Sequence, residues 1–238
     1  MRRTGFLIVV LMFISVACDP NASSTAHQST KAAKVAADRK TISAGLIRPA
    51  DLRGWVHSPP TSDSDPDLLK LARKVPGCEH FVEVVREGRP KRDSKKFERD
   101  DHQVDDSVEA YASTAEAADQ LDLARDPATL TCQKDIFGAF SANQLPATIK
   151  RLDISPIAIN ELGDSDFAFR VTISMDLAGQ SVDLLFDTAI VQVGRFVLSF
   201  NATAPDTAGL AQLETTLLPV LVARLKKAGA SLRPTTSD

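Results

Sequence analysis

Regular hydrophobic alternation marks the chain between residues 166 and 204. Apolar side chains recur at every second position from Phe167 to Leu177, which is the period of a strand with one buried face. After a turn, Val182 to Val191 is apolar on both faces near its middle, so we expect a central strand there. A third strand is predicted from Phe196 to Phe200, and tight turns join the three into an antiparallel meander.

Two more strands and several helices are predicted around this meander. The strands are Val104–Ala112 and Ile149–Ile159, the latter interrupted by Pro156. The helices are Pro66–Lys74, a helix capped by Thr114, a helix begun by Pro127, and Thr207–Ala228, which Pro219 should kink. The last has a leucine about once per turn, as an amphipathic helix does. The pattern therefore predicts an α+β domain, a single twisted antiparallel sheet with helices packed on one face.

The segment Leu46–Trp55 reads as a helical turn that begins at Pro49 and ends at Gly54. It leads Trp55 into a short strand. Trp55 is the single tryptophan of the chain. Two roles fit it: a buried anchor that packs the first element on the sheet, or a wall of a ligand pocket.

The N-terminus has the order of a secretory signal peptide. Arg2 and Arg3 precede an apolar run from Phe6 to Ile14, and small residues follow. The twelve residues from Phe6 to Ala17 would span roughly 18 Å as a helix, against a hydrocarbon core of about 30 Å. Residues 1–17 are therefore predicted to be a signal peptide, and the protein to be exported.

Cys18 stands where two peptidases could cut. Val16 and Ala17 before it resemble a bacterial lipobox, after which Cys18 would carry a diacylglyceryl group and an acyl chain. Ser15 departs from that motif and also suits ordinary secretory cleavage, which would leave a free thiol. Because a secreted free thiol is a liability, a lipid anchor at Cys18 on the outer face of the cell membrane is favoured, with secretion as the alternative.

The rest of the chain divides by composition. Residues 18–40 hold few large apolar side chains, so the apolar surface that they could bury would not offset the conformational entropy lost on folding. We therefore expect a lipidated N-terminus and a flexible tether there. Residues 41–230 have the size of one domain, and residues 231–238 are expected to be a disordered tail.

Two cysteines remain in this domain, Cys78 and Cys132. In an oxidising compartment they are predicted to form a disulfide. The chain-entropy model gives a loop of about 55 residues roughly 4 kcal/mol of stabilisation as an upper figure. Two buried free thiols are the alternative.

The charge pattern disfavours a nucleic-acid partner. Without the signal peptide, 26 basic residues stand against 31 acidic ones. Basic residues cluster in Arg86–Arg99, which is most simply a solvated loop. The alternative is contact with anionic lipid headgroups or a cell-wall polymer.

Motifs that carry chemistry are not found in the sequence. Its four histidines, His27, His57, His80 and His102, have no metal-ligand spacing. Nucleotide-binding, metalloprotease and nucleophile-elbow signatures are also missing. We therefore expect no metal, no cofactor and no enzymatic activity.

One set of motifs is familiar. Leu46–Trp55 (LIRPADLRGW) is followed by Cys78, a strand, an Ala-rich helix leading to Cys132, and a hairpin-rich half with a C-terminal amphipathic helix. This order resembles actinobacterial exported lipoproteins related to the extracellular sensor domain of the kinase PknH. The resemblance implies a twisted antiparallel sheet with helices, a central cleft and a ligand-binding role. The single cysteine pair departs from the kinase domain, which has two disulfides.

The expected function is that of a lipid-anchored, non-catalytic ligand-binding or sensor-like module, with an unknown small molecule between the sheet and the helices. The alternative is a structural or assembly partner of another cell-envelope protein, which would expose an apolar patch. A third class, an envelope hydrolase, would cluster carboxylates or histidines in one pocket.

Overall fold

The computed structural model describes residues 22–60, 73–76, 78, 89–144, 148–177 and 180–231. The chain divides into two compact units, Met1–Lys34 and Val35–Asp238. The described part of the first unit is helical. The sheet, its core and the polar sites below all belong to the second. The predicted signal peptide, Cys18 and the C-terminal tail from residue 232 lie outside the described residues.

An antiparallel sheet of eight strands organises the described residues of the second unit. In chain order the strands are β1 (Val56–Ser58), β2 (Lys91–Asp93), β3 (Lys96–Arg99), β4 (His102–Ala110), β5 (Thr148–Ile157), β6 (Ser165–Leu177), β7 (Gln180–Val193) and β8 (Phe196–Ala204). Across the sheet they run β1-β3-β4-β8-β7-β6-β5, and β2 also pairs with β4. The predicted meander is confirmed as β6, β7 and β8, with β7 between its two neighbours.

The described helices are α1 (Ala22–Gly45), α2 (Thr114–Arg125), α3 (Pro127–Gln144) and α4 (Thr207–Ala230). The α+β class is thus confirmed, but the helices lie against both faces of the sheet and not against one. The end of α1 and helix α4 cover one face, and α2 and α3 cover the other. The reason is that the central strands are apolar on both faces: Leu198 packs with the α4 leucines, whereas its neighbour Val197 packs with α2.

The larger core lies under α4. Seven apolar side chains of this helix are buried, namely Leu210, Leu213, Leu217, Leu218, Leu221, Val222 and Leu225. They pack on the even positions of β4 and β8, among them Val104, Val108 and Phe200. Burying each such side chain contributes about 1.5–3 kcal/mol, so this helix is held by its packing. Although α4 is long and apolar enough to cross a membrane by length and composition, it serves here as a core helix.

The opposite face is closed by α2, α3 and the disulfide. Ser113 caps α2, where Thr114 was expected to, and its hydroxyl accepts from the Glu116 N–H at 3.1 Å. Glu116 in turn accepts from the Ala112 N–H at 3.0 Å, close to a full capping box one residue earlier than predicted. The predicted disulfide is confirmed: Cys132 on α3 is bonded to Cys78, with their Cα atoms 5.4 Å apart.

The folded unit begins earlier than the sequence suggested. Residues 22–45 are helical, and the unit starts at Val35, inside the segment expected to be a tether up to residue 40. The reason is a polar anchor: the buried carboxylate of Asp38 forms a salt bridge with Arg195 in the turn before β8. Composition cannot reveal this contact because the partners lie far apart in sequence.

The basic stretch was expected to be a solvated loop, but from Lys91 to Arg99 it forms β2 and β3, which run along the same edge of β4. One extra residue between them makes a bulge at Ser94, whose N–H donates to the Asp106 carbonyl at 2.7 Å. Most cationic residues of this stretch are exposed, so the composition resembled that of a loop.

Three further predictions have different outcomes. The strand before the meander is confirmed as β5, an edge strand that pairs only with β6 among the described strands, and an edge position tolerates Pro156. Of the helix predicted at Pro66–Lys74, residues 66–72 lie outside the described residues, and residues 73 and 74 belong to a turn. Pro219 lies inside α4, and the kink there stays a prediction.

Candidate ligand-binding cavity

A cavity of about 250 Å³ opens beside helix α4. One wall is the connection from β5 to β6, and the other is the middle of α4. The lining residues are Ala158, Ile159, Asn160, Leu162, Ala211, Glu214, Thr215, Leu218 and Pro219. Six of these nine residues are apolar, and the polar ones are Asn160, Glu214 and Thr215, so the lining combines apolar surface with polar groups, as small-molecule sites do.

The wall from the β5–β6 connection is fixed by close backbone packing. A Cβ atom at Gly163 would lie 2.2 Å from the carbonyl oxygen of Gln192, so only glycine fits against the end of β7. Next to it, the Asp164 N–H donates to the same carbonyl at 2.8 Å. Lys226 of α4 donates to the Leu162 carbonyl at 2.6 Å. The cavity is therefore preformed between two pinned walls.

A buried ion pair lies under the cavity on the sheet. Arg170 of β6 and Asp187 of β7 are direct register partners. The Arg170 Nε donates to Asp187 Oδ1 at 2.6 Å, and Nη2 contacts Oδ2 at 2.5 Å, a bidentate pair. The Asp187 side chain is fully buried, and this pairing compensates its desolvation.

Glu214 of α4 connects the ion pair to the cavity. Burial, followed by the adjacent Asp187 carboxylate, raises the pKa of Glu214 from 4.5 to about 7, while Arg170 opposes the rise. A hydrogen bond to Asp187 favours the protonated form in the same way. Within the described residues, the buried Oε1 of Glu214 has no hydrogen-bond partner. Glu214 is thus poised to hold or release a proton near neutral pH at the edge of the cavity.

A backbone acceptor lies beside Glu214. Pro219 has no N–H, so the carbonyl four residues earlier, that of Thr215, lacks its helical donor. Both residues line the cavity. The Thr215 hydroxyl donates back to the Ala211 carbonyl at 2.7 Å. The polar groups at the α4 wall are therefore mainly acceptors.

A second buried carboxyl, Asp106 of β4, lies in the core away from the cavity. Its Oδ1 accepts from the Ile47 N–H at 3.0 Å, and its backbone N–H donates to Ser94 Oγ at 3.0 Å. Burial raises the pKa of Asp106 to about 7, while the hydrogen bonds from Ile47 and Ser94 oppose the rise. Asp106 fastens the segment after α1 to the sheet, which is a structural role.

The site residues expected from the sequence lie elsewhere. Trp55 is half-buried, packs on the main core and carries the Arg99 guanidinium 5.0 Å over its ring, and it is not among the cavity-lining residues. Cys78 and Cys132 lie at α3 on the opposite face. Cys18 lies outside the described residues.

The cavity and the ion pair beside Glu214 were not predicted from the sequence. The alternation along β6 puts Arg170 on the face opposite to the apolar side chains, which was expected to be solvated, and Asp187 interrupts an apolar run. The available signal was that two opposite charges fall at facing positions of a hairpin whose strands are buried on both sides. Glu214 gives no such signal, because a glutamate on an amphipathic helix is ordinarily solvated.

The remaining candidate groups give no second site. In the described part of the chain, no group of three or more His, Cys, Asp or Glu residues could hold a metal ion. Cationic side chains of β2 and β3 have partners within the folded unit. Lys96 pairs with Glu98 at 2.8 Å, and Arg92 donates to Ser43 at 2.7 Å.

Comparison with known proteins gives little information about this chain. No family model matches the chain, and no curated protein matches it. Among solved structures, the extracellular domain of PknH from Mycobacterium tuberculosis is similar, with 14% sequence identity and a TM-score of 0.39. The match covers 81% of this chain and 96% of that chain. This is a weak resemblance at the level of the fold.

Proposed function

We propose that this protein is a lipid-anchored extracytoplasmic module that binds a small molecule without transforming it, in a sensor-like role. The cavity beside α4 is the binding site. The observation that carries the proposal is a preformed space of about 250 Å³ with an apolar lining and one carboxyl, that of Glu214, whose pKa is raised to about 7. Perturbed titratable groups in clefts are candidates for function.

A non-catalytic role fits the geometry of the carboxyl pair. Catalysis by paired carboxyls needs both groups within reach of the substrate. Here Asp187 is fully buried and held by two nitrogens of Arg170, and of the two carboxyls only that of Glu214 belongs to a cavity-lining residue. A single carboxyl serves to recognise a ligand.

The location follows from the N-terminal sequence. The apolar run that ends at Cys18 supports export and acylation, and the anchor would hold the domain at the outer face of the cell membrane. The assembly-partner alternative requires a contiguous exposed apolar patch. Across the described segments, the large hydrophobic residues that are exposed are Val56 and Val220, which do not form one.

Native mass spectrometry of the full-length protein from its own membrane tests this proposal. We expect the mass of an acylated Cys18 and a retained small molecule. The Ala211→Trp substitution fills the cavity and should abolish retention, whereas Gln212→Trp, on the neighbouring exposed position of α4, should keep it. An unacylated protein would refute the anchor, and equal retention by both variants would refute the site.

A further inference from the structure

The hydrogen-bonding groups at the α4 side of the cavity are acceptors. Glu214 and Thr215 both line the cavity; Glu214 carries a carboxyl, and Thr215 has a carbonyl that Pro219 leaves without its helical donor. Asn160, on the opposite wall, can offer its amide oxygen. A ligand that satisfies such a set must carry several hydrogen-bond donors on one group.

The charge of the surroundings points the same way. Three charged groups meet here: Arg170 from β6, Asp187 from β7 and Glu214 from α4. Arg170 is committed to Asp187 through two contacts, so an ionised Glu214 leaves one negative charge without compensation. An uncompensated charge at a site half removed from water is costly, and a cation in the cavity would neutralise it.

We infer that the ligand is a small organic monocation, an ammonium group on a compact apolar body, with the ammonium held by Glu214 and the Thr215 carbonyl. This inference rests on the proposed function of the cavity. An ammonium presents three donors to the acceptors described above. The apolar body fits the lining formed by Ile159, Leu162 and Leu218.

Cation binding must be linked to the loss of a proton. The pKa of Glu214 near 7 means that the free protein is largely protonated there below neutral pH. The cation favours the ionised carboxylate, so binding displaces the proton to the buffer. From pH 8 to pH 5 the affinity should fall about 100-fold, because each pH unit below the pKa costs about tenfold. A neutral ligand of the same shape would show no such dependence.

Three probes of the same shape test the cationic class of the ligand separately from the ability of the cavity to bind a small molecule. Cyclohexylammonium, cyclohexanol and cyclohexanecarboxylate share a ring and differ in the charge of their polar group. Calorimetric titration of the full mature protein at pH 8 and at pH 6, each in two buffers of different ionisation enthalpy, measures affinity and proton release together. The variants are Glu214→Gln and, as a control, Glu109→Gln on β4, outside the cavity lining.

The inference predicts that cyclohexylammonium binds at least tenfold more tightly than cyclohexanol at pH 8, and that its binding releases about one proton at pH 6 and almost none at pH 8. Glu214→Gln should remove this preference and leave cyclohexanol binding intact, whereas Glu109→Gln should change neither. Equal binding of cation and alcohol, or tighter binding of the carboxylate, would overturn the cation inference while the cavity remains a binding site. If Ala211→Trp binds all three probes as the wild type does, the cavity itself is refuted.

Discussion

Asp106 and Glu214 both carry a pKa raised to about 7, and in both the largest cause is burial. Their surroundings differ. Asp106 is sealed in the core and receives the Ile47 N–H, so its proton can matter only for folding. Glu214 borders a cavity and contacts a second carboxylate, that of Asp187. A perturbed carboxyl therefore indicates a binding site only where a ligand can reach it.

The largest effect is expected from breaking the ion pair under Glu214. Arg170→Met leaves the fully buried Asp187 carboxylate without its partner, which costs about 3–5 kcal/mol in the free energy of unfolding. Urea denaturation at pH 7 measures it. Arg151→Met, which breaks an exposed pair with Asp153 on β5, should cost less than about 1 kcal/mol. Equal losses in the two variants would contradict the buried pair.

Asp106→Asn should stabilise the protein at pH 8. A carboxyl whose pKa is raised binds its proton more tightly in the folded state, so its stabilisation is present at low pH and is lost as the pH rises from about 4 to about 7. The asparagine avoids ionisation and should gain about 2–4 kcal/mol at pH 8 and almost nothing at pH 4. Urea denaturation at both pH values measures the free energy of unfolding of this variant, and Asp101→Asn at an exposed position is the control. A gain that is the same at both pH values would rule this cause out.

The meander and Arg170 show how much of the fold the sequence pattern can predict. Alternation along β6, β7 and β8 predicted the meander because side-chain direction in a strand is fixed by the pleat. The same alternation placed Arg170 in solvent because it assumes one buried face, and α4, the helix that covers the Arg170 face of β6, is not visible in the strand itself.

Long-range contacts explain the other differences. Asp38 was assigned to a tether because its local composition is polar, whereas its salt bridge to Arg195 and the burial of Ile42 in the core hold this part of α1 in the folded unit. The cysteines could be paired because only two remained in the domain, whereas no comparable elimination applies to Asp187 or Glu214. Sequence therefore predicted the meander, its neighbouring strands, the helices α2 to α4 and the disulfide, whereas α1, β2, β3 and the cavity required the structure.

A smaller effect is expected at the wall of the cavity. Gly163→Ala places a methyl group against the Gln192 carbonyl and Val191, so the wall must move, at a cost of about 1–3 kcal/mol. The affinity for cyclohexylammonium, measured by calorimetry, should also fall, because the cavity wall has moved. Gly138→Ala in α3 is the matched control, because its Cβ would meet only Leu152 at 3.7 Å. That variant should bind normally and be at least as stable as the wild type.

The smallest effect on stability is expected from Glu214→Gln. The glutamine amide can donate to Asp187 as the protonated carboxyl does, so the free energy of unfolding at pH 6 should change by less than about 1 kcal/mol. Thermal unfolding at pH 6 checks this. A large destabilisation there would mean that the ionised form of Glu214 supports the fold, contrary to its assignment to ligand recognition.

The most direct test is a carbon-detected NMR titration that follows the side-chain carboxyls of Glu214 and Asp106 with and without cyclohexylammonium. We predict that both titrate near pH 7 in the free protein, and that the cation lowers the pKa of Glu214 by at least one unit while the pKa of Asp106 stays unchanged. If the cation leaves the pKa of Glu214 where it was, or shifts both carboxyls alike, the cavity beside α4 is not a site for a cation.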